Sequence, residues 1–487
     1  MRYFRGRYLI WWCLFGFLVF WTCCTYYLLI TKATMPSAQG KLERLHARIG
    51  AVESAINRQL RENNQLLSYM NERFPEKTDA HSKHENLSSV GVRAADALGT
   101  PIVKDLATAR TGEPGAQQVS AQPQDGQRKQ SLHPATPTSD VIAVLVFACN
   151  RPLAIRSHLD QILSLRPSAE QFPVIVSQDC VHQPTRDAIL AYGDKVTYLQ
   201  QPDQTEFKLA PKEKKFLGYY KIARHYRWAL NQTFYKLNHK TVILTEDDLQ
   251  LAPDFFEYFL ATYTLLRIDA TLWCISAWND NGKTNNIDLQ QPELLFRTDF
   301  FPGLGWMFRK EVYDELEPKW PTAFWDDWMR RPEQRQKRAC IRPEVSRTAM
   351  SKHGKVGVSK GLYFEKHLKH IVLNSEFVPF TKKDLSYLLE ANYDTTFDKA
   401  VYSSPVIALG DLQRMTPDAK QHMPSVRLTY DSKTSFKSIT KALKLMDDFR
   451  AGVPRTAYRG VVPFMYNGVR VFLAPPPGWT AYDVTWN

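Results

Sequence analysis

Glu246, Asp247 and Asp248 stand in a row where the apolar run Thr241 to Thr245 ends. Three carboxylates crowded at the carboxyl end of a strand repel one another unless something cationic neutralises them. Hard divalent metals are the usual reason for such a cluster, so a metal-assisted reaction on an anionic substrate is the leading expectation. A solvated turn with acids near a helix N-terminus is the competing reading, since Pro253 and Asp254 open an apolar helix just beyond. A second acid pair, Asp326 and Asp327, is flanked by Phe324, Trp325 and Trp328. It reads either as a general base with its neighbour or as helix-capping acids beside aromatic core residues.

The elements that must hold these acids begin at Val141. Short apolar runs at Val141 to Phe147, Val174 to Ser177, Val196 to Leu199, Val242 to Thr245 and Leu272 to Ala277 alternate with amphipathic stretches such as Leu153 to Leu165 and Tyr219 to Leu237. This alternation predicts an α/β fold, a mostly parallel sheet with helices on both faces. Ligands of such sheets bind beyond the carboxyl ends of the strands. Asn150-Arg151, Gln178-Asp179 and Glu246-Asp247-Asp248 all lie at such ends, which places three segments at one crevice. Phosphoryl transfer, phosphate-ester hydrolysis and glycosyl transfer from a nucleotide sugar all suit a crevice of this kind. The chain has no G-x-x-x-x-G-K-[ST], H-E-x-x-H or His-rich hydrolase cluster, and glycosyl transfer is the reading that remains. The segment Phe300 to Trp306 offers glycines for close approach and aromatics for sugar stacking, or simply a tight turn beside a core. Ser276 to Gly282 could bond sugar hydroxyls or shape a turn. Beyond about Glu390 shorter strands, Val426 to Tyr430, Gly460 to Tyr466 and Val469 to Leu473, surround a helix near Ser435 to Phe449, giving a small second domain over 391–487 after a catalytic domain over 141–390.

Upstream, residues 1–7 carry Arg2, Arg5 and Arg7, and Tyr8 to Ile30 is an uncharged apolar run. Its length as a helix, at about 1.5 Å per residue, matches a hydrocarbon core of roughly 30 Å. A signal anchor over 8–30 is expected, with the basic tail cytoplasmic and everything after Lys32 on the far side. Leu42, Leu45, Ile49, Val52, Ile56, Gln59, Asn63, Leu66 and Met70 keep alternating steps of three and four, which predicts a coiled-coil stem over 40–71 and a homodimer through it. Residues 72–140 are polar and read as a flexible linker. Cys13, Cys23 and Cys24 lie in the apolar run, leaving Cys149, Cys180, Cys274 and Cys340 in the far-side portion, an even set suited to two disulfides in an oxidising lumen. Asn86 and Asn231 begin glycosylation sequons. The net charge of +13 is spread along 487 residues of which 44% are hydrophobic, so no nucleic-acid partner is expected.

The segments Ser177 to Cys180, Gly218 to Trp228, Glu246 to Asp248, Ser276 to Gly282, Phe300 to Trp306 and Phe324 to Arg330 resemble the N-acetylglucosaminyltransferase I family (glycosyltransferase family 13), over about residues 141 to 487. The resemblance implies a nucleotide-sugar-binding domain of GT-A-like fold in a Golgi type II membrane enzyme. The implied reaction is inverting: N-acetylglucosamine passes from UDP-N-acetylglucosamine in β1,2 linkage to the α1,3-arm mannose of an oligomannose N-glycan. It implies Mn2+ as cofactor with Asp248 as its ligand, Glu246 and Asp247 against the sugar nucleotide, and Arg151, Asp179 and His225 as nucleotide-binding residues. Phosphate charge for Arg151, a uracil N–H for Asp179 and a uracil carbonyl for His225 suit these side chains; spacing alone makes His225 a helix-packing residue. By the same resemblance Asp326 is the catalytic base, Ser359 contacts the diphosphate from a mobile loop, and the bridges are Cys149 to Cys180 and Cys274 to Cys340. One departure is the segment Ala349 to Gly357, about two residues longer than the family pattern, which leaves donor affinity and loop closure less safely transferred than the chemistry. Two other readings stand beside this one: the related transferase that extends O-linked mannose, and an inactive lumenal scaffold or lectin.

Overall fold

The computed structural model describes residues 140–355, 357–358, 361–416 and 423–486. The expected anchor, coiled coil and linker, the sequon at Asn86 and the loop residue Ser359 lie outside the described residues. Among the described residues no helix is long and apolar enough to cross a membrane.

The apolar runs form strands where expected: β1 (Ala143–Ala148), β2 (Val174–Gln178), β3 (Thr197–Gln200) and β4 (Thr241–Glu246). A short β5 (Leu249–Leu251) precedes β6 (Leu272–Ser276), followed by β7 (Leu295–Thr298), β8 (Trp306–Arg309), β9 (Ala339–Pro343) and β10 (Thr348–Met350). Eight of them make one sheet in the order β3-β2-β1-β4-β8-β6-β9-β7. The half from β3 to β4 is parallel. Beyond it β8 runs antiparallel to both β4 and β6, and β7 antiparallel to β9, while β6 and β9 are parallel. The sheet is therefore mixed: β8 inserts between β4 and β6, which the strand–helix alternation alone had placed in one parallel run.

Alternation along β1 divides the core. Ile142, Val144 and Val146 pack with Ile155, Leu159 and Ile162 of α1 (Pro152–Leu165) and with Phe255, Phe256 and Phe259 of a later helix. Ala143, Leu145 and Phe147 face the other way, toward Ala223, Tyr226, Ala229 and Leu230. Side chains of a strand point alternately to the two faces, so helices cover both. The elements involved are α2 (Gln183–Leu190) beside α1, α3 (Leu217–Asn231) on the second face and α4 (Phe255–Ile268) on the first. The short α5 (Trp325–Met329) then stacks Trp325 on Tyr226 of α3, ring centroids 4.3 Å apart.

After α6 (Glu390–Ser403) the chain builds a separate three-stranded sheet from β11 (Ser425–Thr429), β14 (Val462–Tyr466) and β15 (Val469–Ala474), with its own core under α7 (Lys433–Ala442). The helix expected to reach Phe449 stops at Ala442, and Lys444 takes a left-handed φ of 58° that ends it. Phe449–Arg450 instead becomes β12, paired with β13 (Val453–Pro454) across Ala451 and Gly452, both at positive φ. A side chain at Gly452 would collide with the backbone of Asp483, and its N–H donates to the Trp486 carbonyl at 2.9 Å. The C-terminal tail thus pins this hairpin.

Candidate functional site

Register brings the expected ends together: Ala148 of β1 lies beside Gln178 of β2, and Phe147 beside Glu246 of β4. The next residues in each segment carry the polar groups. The Cys149–Cys180 bridge, Cα atoms 5.0 Å apart, ties the segment leading to Arg151 to the one carrying Asp179. The Cys274–Cys340 bridge joins the adjacent strands β6 and β9. Both pairings are those the family resemblance implies.

Asp247 and Asp248 are buried, and Arg151 is wedged against them. Its Nη2 ion-pairs with Asp247 Oδ1, its Nη1 lies 2.9 Å from Asp248 Oδ2, and Nη1 also donates to the His353 carbonyl at 3.2 Å. The guanidinium expected for phosphate charge is thus already committed to carboxylates and a backbone carbonyl. Burial works to lower the Arg151 guanidinium, but the Asp248 and Asp247 charges overcome it and hold it raised. Burial pushes Asp247 up to about 7 against the pull of Arg151. The guanidinium keeps its proton in proteins, so its charge favours the ionised form of Asp247 against the effect of burial. Glu246 is pushed up to about 7 by burial and then by Asp248, although the Tyr226 hydroxyl donates to its Oε1 at 2.8 Å. One cation for three carboxylates leaves the cluster short of positive charge.

A cation also has a place to bind. Asp248 Oδ1 is buried with no hydrogen-bond partner among the described residues, a costly state for a carboxylate oxygen. No group of three or more His, Cys, Asp or Glu among the described residues is arranged as a metal cage. A single protein carboxylate completed by substrate phosphates and waters is the ordinary arrangement for a small divalent ion at a nucleotide site. The residues present fit that arrangement.

Asp179 ends the β2 segment; burial pushes its carboxyl up to about 6, with Arg224 and Lys221 pulling the other way. Its backbone carbonyl accepts from Gln204 and Gln200. His225, on α3, is buried, shares a 2.7 Å hydrogen bond between Nε2 and Ser177 Oγ, and meets the edge of Phe147. Burial drives it down to about 3, so the ring is neutral.

Asp326 and Asp327 occupy the first turn of α5, whose preceding residue Phe324 holds a left-handed φ of 53° and supplies no side-chain cap. Arg330 Nη1 donates to Asp326 Oδ2 at 2.9 Å and to Asp327 Oδ1 at 2.8 Å. Asp327 Oδ1 also accepts from Arg450 Nε at 2.7 Å. Burial works to raise Asp327, but Arg330 and Arg450 prevail and hold it low. Asp326, with its side chain 43% exposed, keeps Oδ1 free of hydrogen bonds among the described residues. Partners therefore separate the two acids that looked alike in sequence: Asp327 is bound by two arginines and Asp326 by one, each keeping its other oxygen free of hydrogen bonds among the described residues. Tyr226 touches both regions, stacking on Trp325 of α5 and donating to Glu246, and burial followed by the neighbouring acids raises its hydroxyl.

Other candidates have structural roles. Phe300, Phe301 and Trp306 are buried in the core rather than presented to a sugar. Gly303, Leu304 and Gly305 are all left-handed, and a Cβ on Gly305 would lie 2.6 Å from Thr348 Cγ2. Asn279 and Asn281 are buried, bonded to the Glu344 carbonyl and Thr456 Oγ1. The segment after β10 begins at the acids, where Ser351 N–H donates to the Asp248 carbonyl at 2.8 Å. It then crosses to α3, where Val358 leaves no room for a side chain at Gly218. Arg330 and Tyr226 were missed as site residues although they lie inside segments quoted for the resemblance; the i, i+4 step from Asp326 to Arg330 was the available signal. No sequence signal led to Arg450.

A family model described as the GNT-I family matches residues 92–486. An alpha-1,3-mannosyl-glycoprotein 2-beta-N-acetylglucosaminyltransferase from Arabidopsis thaliana is 41% identical over 338 residues, covering 69% of this chain and 74% of that protein. Solved structures with some likeness include a mannosyltransferase from Pyrobaculum calidifontis in complex with GDP-Man and Mn2+, at 16% identity and TM-score 0.26 over 37% of this chain and 47% of that one. Another is a glucosyl-3-phosphoglycerate synthase from Mycobacterium tuberculosis with Mg2+ and UDP, at 14% identity and TM-score 0.24 over 37% of this chain and 59% of that one. Likenesses this slight carry no weight for the chemistry.

Proposed function

The chain belongs to the GNT-I family, and on that premise we propose that it transfers N-acetylglucosamine from UDP-N-acetylglucosamine to the 2-hydroxyl of the α1,3-arm mannose of a five-mannose N-glycan. The product is β-linked, and the step opens hybrid and complex N-glycan synthesis. The observation that supports this most directly is the half-exposed Asp326 carboxylate, held through one oxygen by Arg330, with Tyr226 stacked on the neighbouring Trp325 and bonded to a buried acid cluster short of cations.

In this reading Asp326 Oδ1 takes the proton of the mannose 2-hydroxyl as that oxygen bonds to the anomeric carbon. The bond from that carbon to the diphosphate oxygen breaks on the opposite face, so the α-linked donor gives a β-linked product without a sugar–enzyme intermediate. Asp179 accepts from the uracil N–H, His225 faces the base as a neutral ring, and Ser359 serves the diphosphate. Arg151 offers charge to the phosphates, and Glu246 and Asp247 hold the sugar nucleotide. Mn2+, held by Asp248 and the donor diphosphate, would neutralise charge developing on the departing UDP. Tyr226, bonded to Glu246, keeps the cluster at a fixed distance from α5. We further propose that the apolar run at 8–30 anchors the enzyme in a membrane, that of the Golgi with a lumenal catalytic domain as the family resemblance implies, and that the stem offers a route to a homodimer.

The test uses the full chain expressed through a secretory pathway and solubilised in detergent. It is incubated with UDP-N-acetylglucosamine and either a five-mannose N-glycan or an O-mannosyl peptide, with Mn2+ or chelator, and products are read by mass spectrometry with linkage analysis. One metal-dependent β1,2 addition to the glycan is expected. Addition to the peptide alone would reassign the acceptor, and no addition to either would overturn the reading.

A further inference from the structure

The base helix α5 does not stand alone. A ladder of alternating charge leads from it into the C-terminal unit: Arg330 joins Asp326 to Asp327, and Arg450 Nε reaches Asp327 at 2.7 Å while its Nη1 lies 3.4 Å from Asp448. Arg455 continues it, 2.8 Å from Asp448 and 2.7 Å from Asp280. Arg450 belongs to the hairpin β12–β13, whose turn is fixed against the C-terminal tail by Gly452. The guanidinium therefore has a set position although it lies 123 residues from Asp327 in sequence.

Arg330 is itself constrained: its side chain is 7% exposed, its Nε donates to the Phe301 carbonyl at 3.0 Å and its guanidinium lies over the Phe300 ring. A single nitrogen, Nη1, serves both acids of α5. Two carboxylates competing for one donor reach a compromise set by how well each is satisfied elsewhere. Arg450 donates to the same Asp327 oxygen that Arg330 reaches, and in sharing it leaves the Arg330 donor available to Asp326 Oδ2. We infer that Arg450 is a positioning residue for the transfer reaction: by binding Asp327 it fixes the Arg330–Asp326 contact and so the direction of the base. The hairpin of the C-terminal unit thereby becomes part of the active-site machinery. This inference rests on the proposed role of Asp326.

Charge gives the test its sign. Asp326 is faced by Arg330 and Asp327 on its own helix, by Tyr219 and Tyr226 from α3, and at one remove by Arg450. Burial raises both tyrosines, so they stay neutral in the working range. Arg450→Met removes one positive charge from the ladder, whereas Asp327→Asn removes one negative charge. The two variants should move the acid limb of the kcat–pH profile in opposite directions, Arg450→Met toward higher pH and Asp327→Asn toward lower pH. Arg450→Met should also lower kcat by up to about 100-fold, the cost of a reacting group displaced by about 1 Å, with donor KM within about twofold of wild type. Arg450→Lys should restore the pH profile and part of kcat.

The measurement is kcat, donor KM and the pH profile of the full chain and these three variants on UDP-N-acetylglucosamine and the five-mannose glycan. Arg450 is partly exposed and its ion pairs are worth little to stability, so Arg450→Met should keep the wild-type melting temperature within a few degrees. Opposite pH shifts with unchanged donor KM support the inference. Unchanged profiles in both variants, or shifts of the same sign, overturn it. A wild-type chain without transfer on this acceptor is a different failure, that of the proposed function itself.

Discussion

The acids at the end of β4 and the acids of α5 solve opposite problems. Glu246, Asp247 and Asp248 are gathered around one guanidinium, two of them are pushed up to about 7, and one buried oxygen has no partner. Asp326, Asp327, Asp448 and Asp280 alternate with Arg330, Arg450 and Arg455, and Asp327 and Asp448 are held low. The first cluster is incomplete by itself and acquires its missing charge from what it binds. The second is nearly neutralised by its own chain, with three arginines set among four carboxylates. In the proposed reading the first would receive a charged donor and the second would hold a base, tasks that need different electrostatic arrangements, and Tyr226 touches Glu246 of one and Trp325 of the helix that carries the other.

The sharpest way to break that contrast is to neutralise one acid of each kind. Asp326→Asn should lower kcat by about 10³-fold, within the usual range for loss of a general base, and leave donor binding near wild type. Equal loss in Asp327→Asn, with Asp326→Asn active, would transfer the role to its neighbour. Asp248→Asn should cost roughly 100-fold and abolish stimulation by Mn2+. Isothermal titration gives the independent readout: metal should tighten UDP binding to the wild type and leave UDP binding to Asp248→Asn unchanged. Metal-stimulated binding that survives in Asp248→Asn would remove this residue from the metal site.

The contrast also explains what sequence reading could reach. β1, β2 and β4 were legible because their runs are almost wholly apolar, as strands covered on both faces must be. β7 and β9 were not, because each carries an arginine that is fully buried. Arg297 is satisfied by Asp269 and the Leu388 carbonyl, and Arg342 lies over the ring of Phe296. A strand pattern fails where tertiary partners pay the desolvation cost of a charge. The β4 acids were legible for the complementary reason: crowded acids at a strand end are locally unfavourable and advertise a missing cation. The ladder was hidden because its key contact joins a helix to a hairpin that begins where the sequence reading ended a helix, at Phe449, and no local pattern encodes a partner so remote. The two acids of α5 could be ranked by residue chemistry only once their arginines had been located.

Asp179 sharpens the comparison with the smallest effect. Like the β4 acids it is buried, and its carboxyl rises to about 6 from an ordinary value of 3.8. Because the folded value is the higher one, the folded state favours the protonated acid: this contribution to stability is complete below about pH 3.8 and is lost as pH rises through 6. Donor binding runs the other way if the carboxylate is what accepts the uracil N–H. With a value near 6, about a quarter of the groups are ionised at pH 5.5 and nearly all at pH 7.5, so UDP should bind about fourfold tighter at the higher pH. Calorimetry at the two pH values, in two buffers of different ionisation enthalpy, should also show proton release on binding near pH 6. Asp179→Asn should erase both the pH step and the proton release, and should flatten the fall in melting temperature between pH 4 and pH 6. If the variant keeps the step, another group near the donor titrates in that range, and Asp179 belongs with the structural acids rather than with those completed by the ligand.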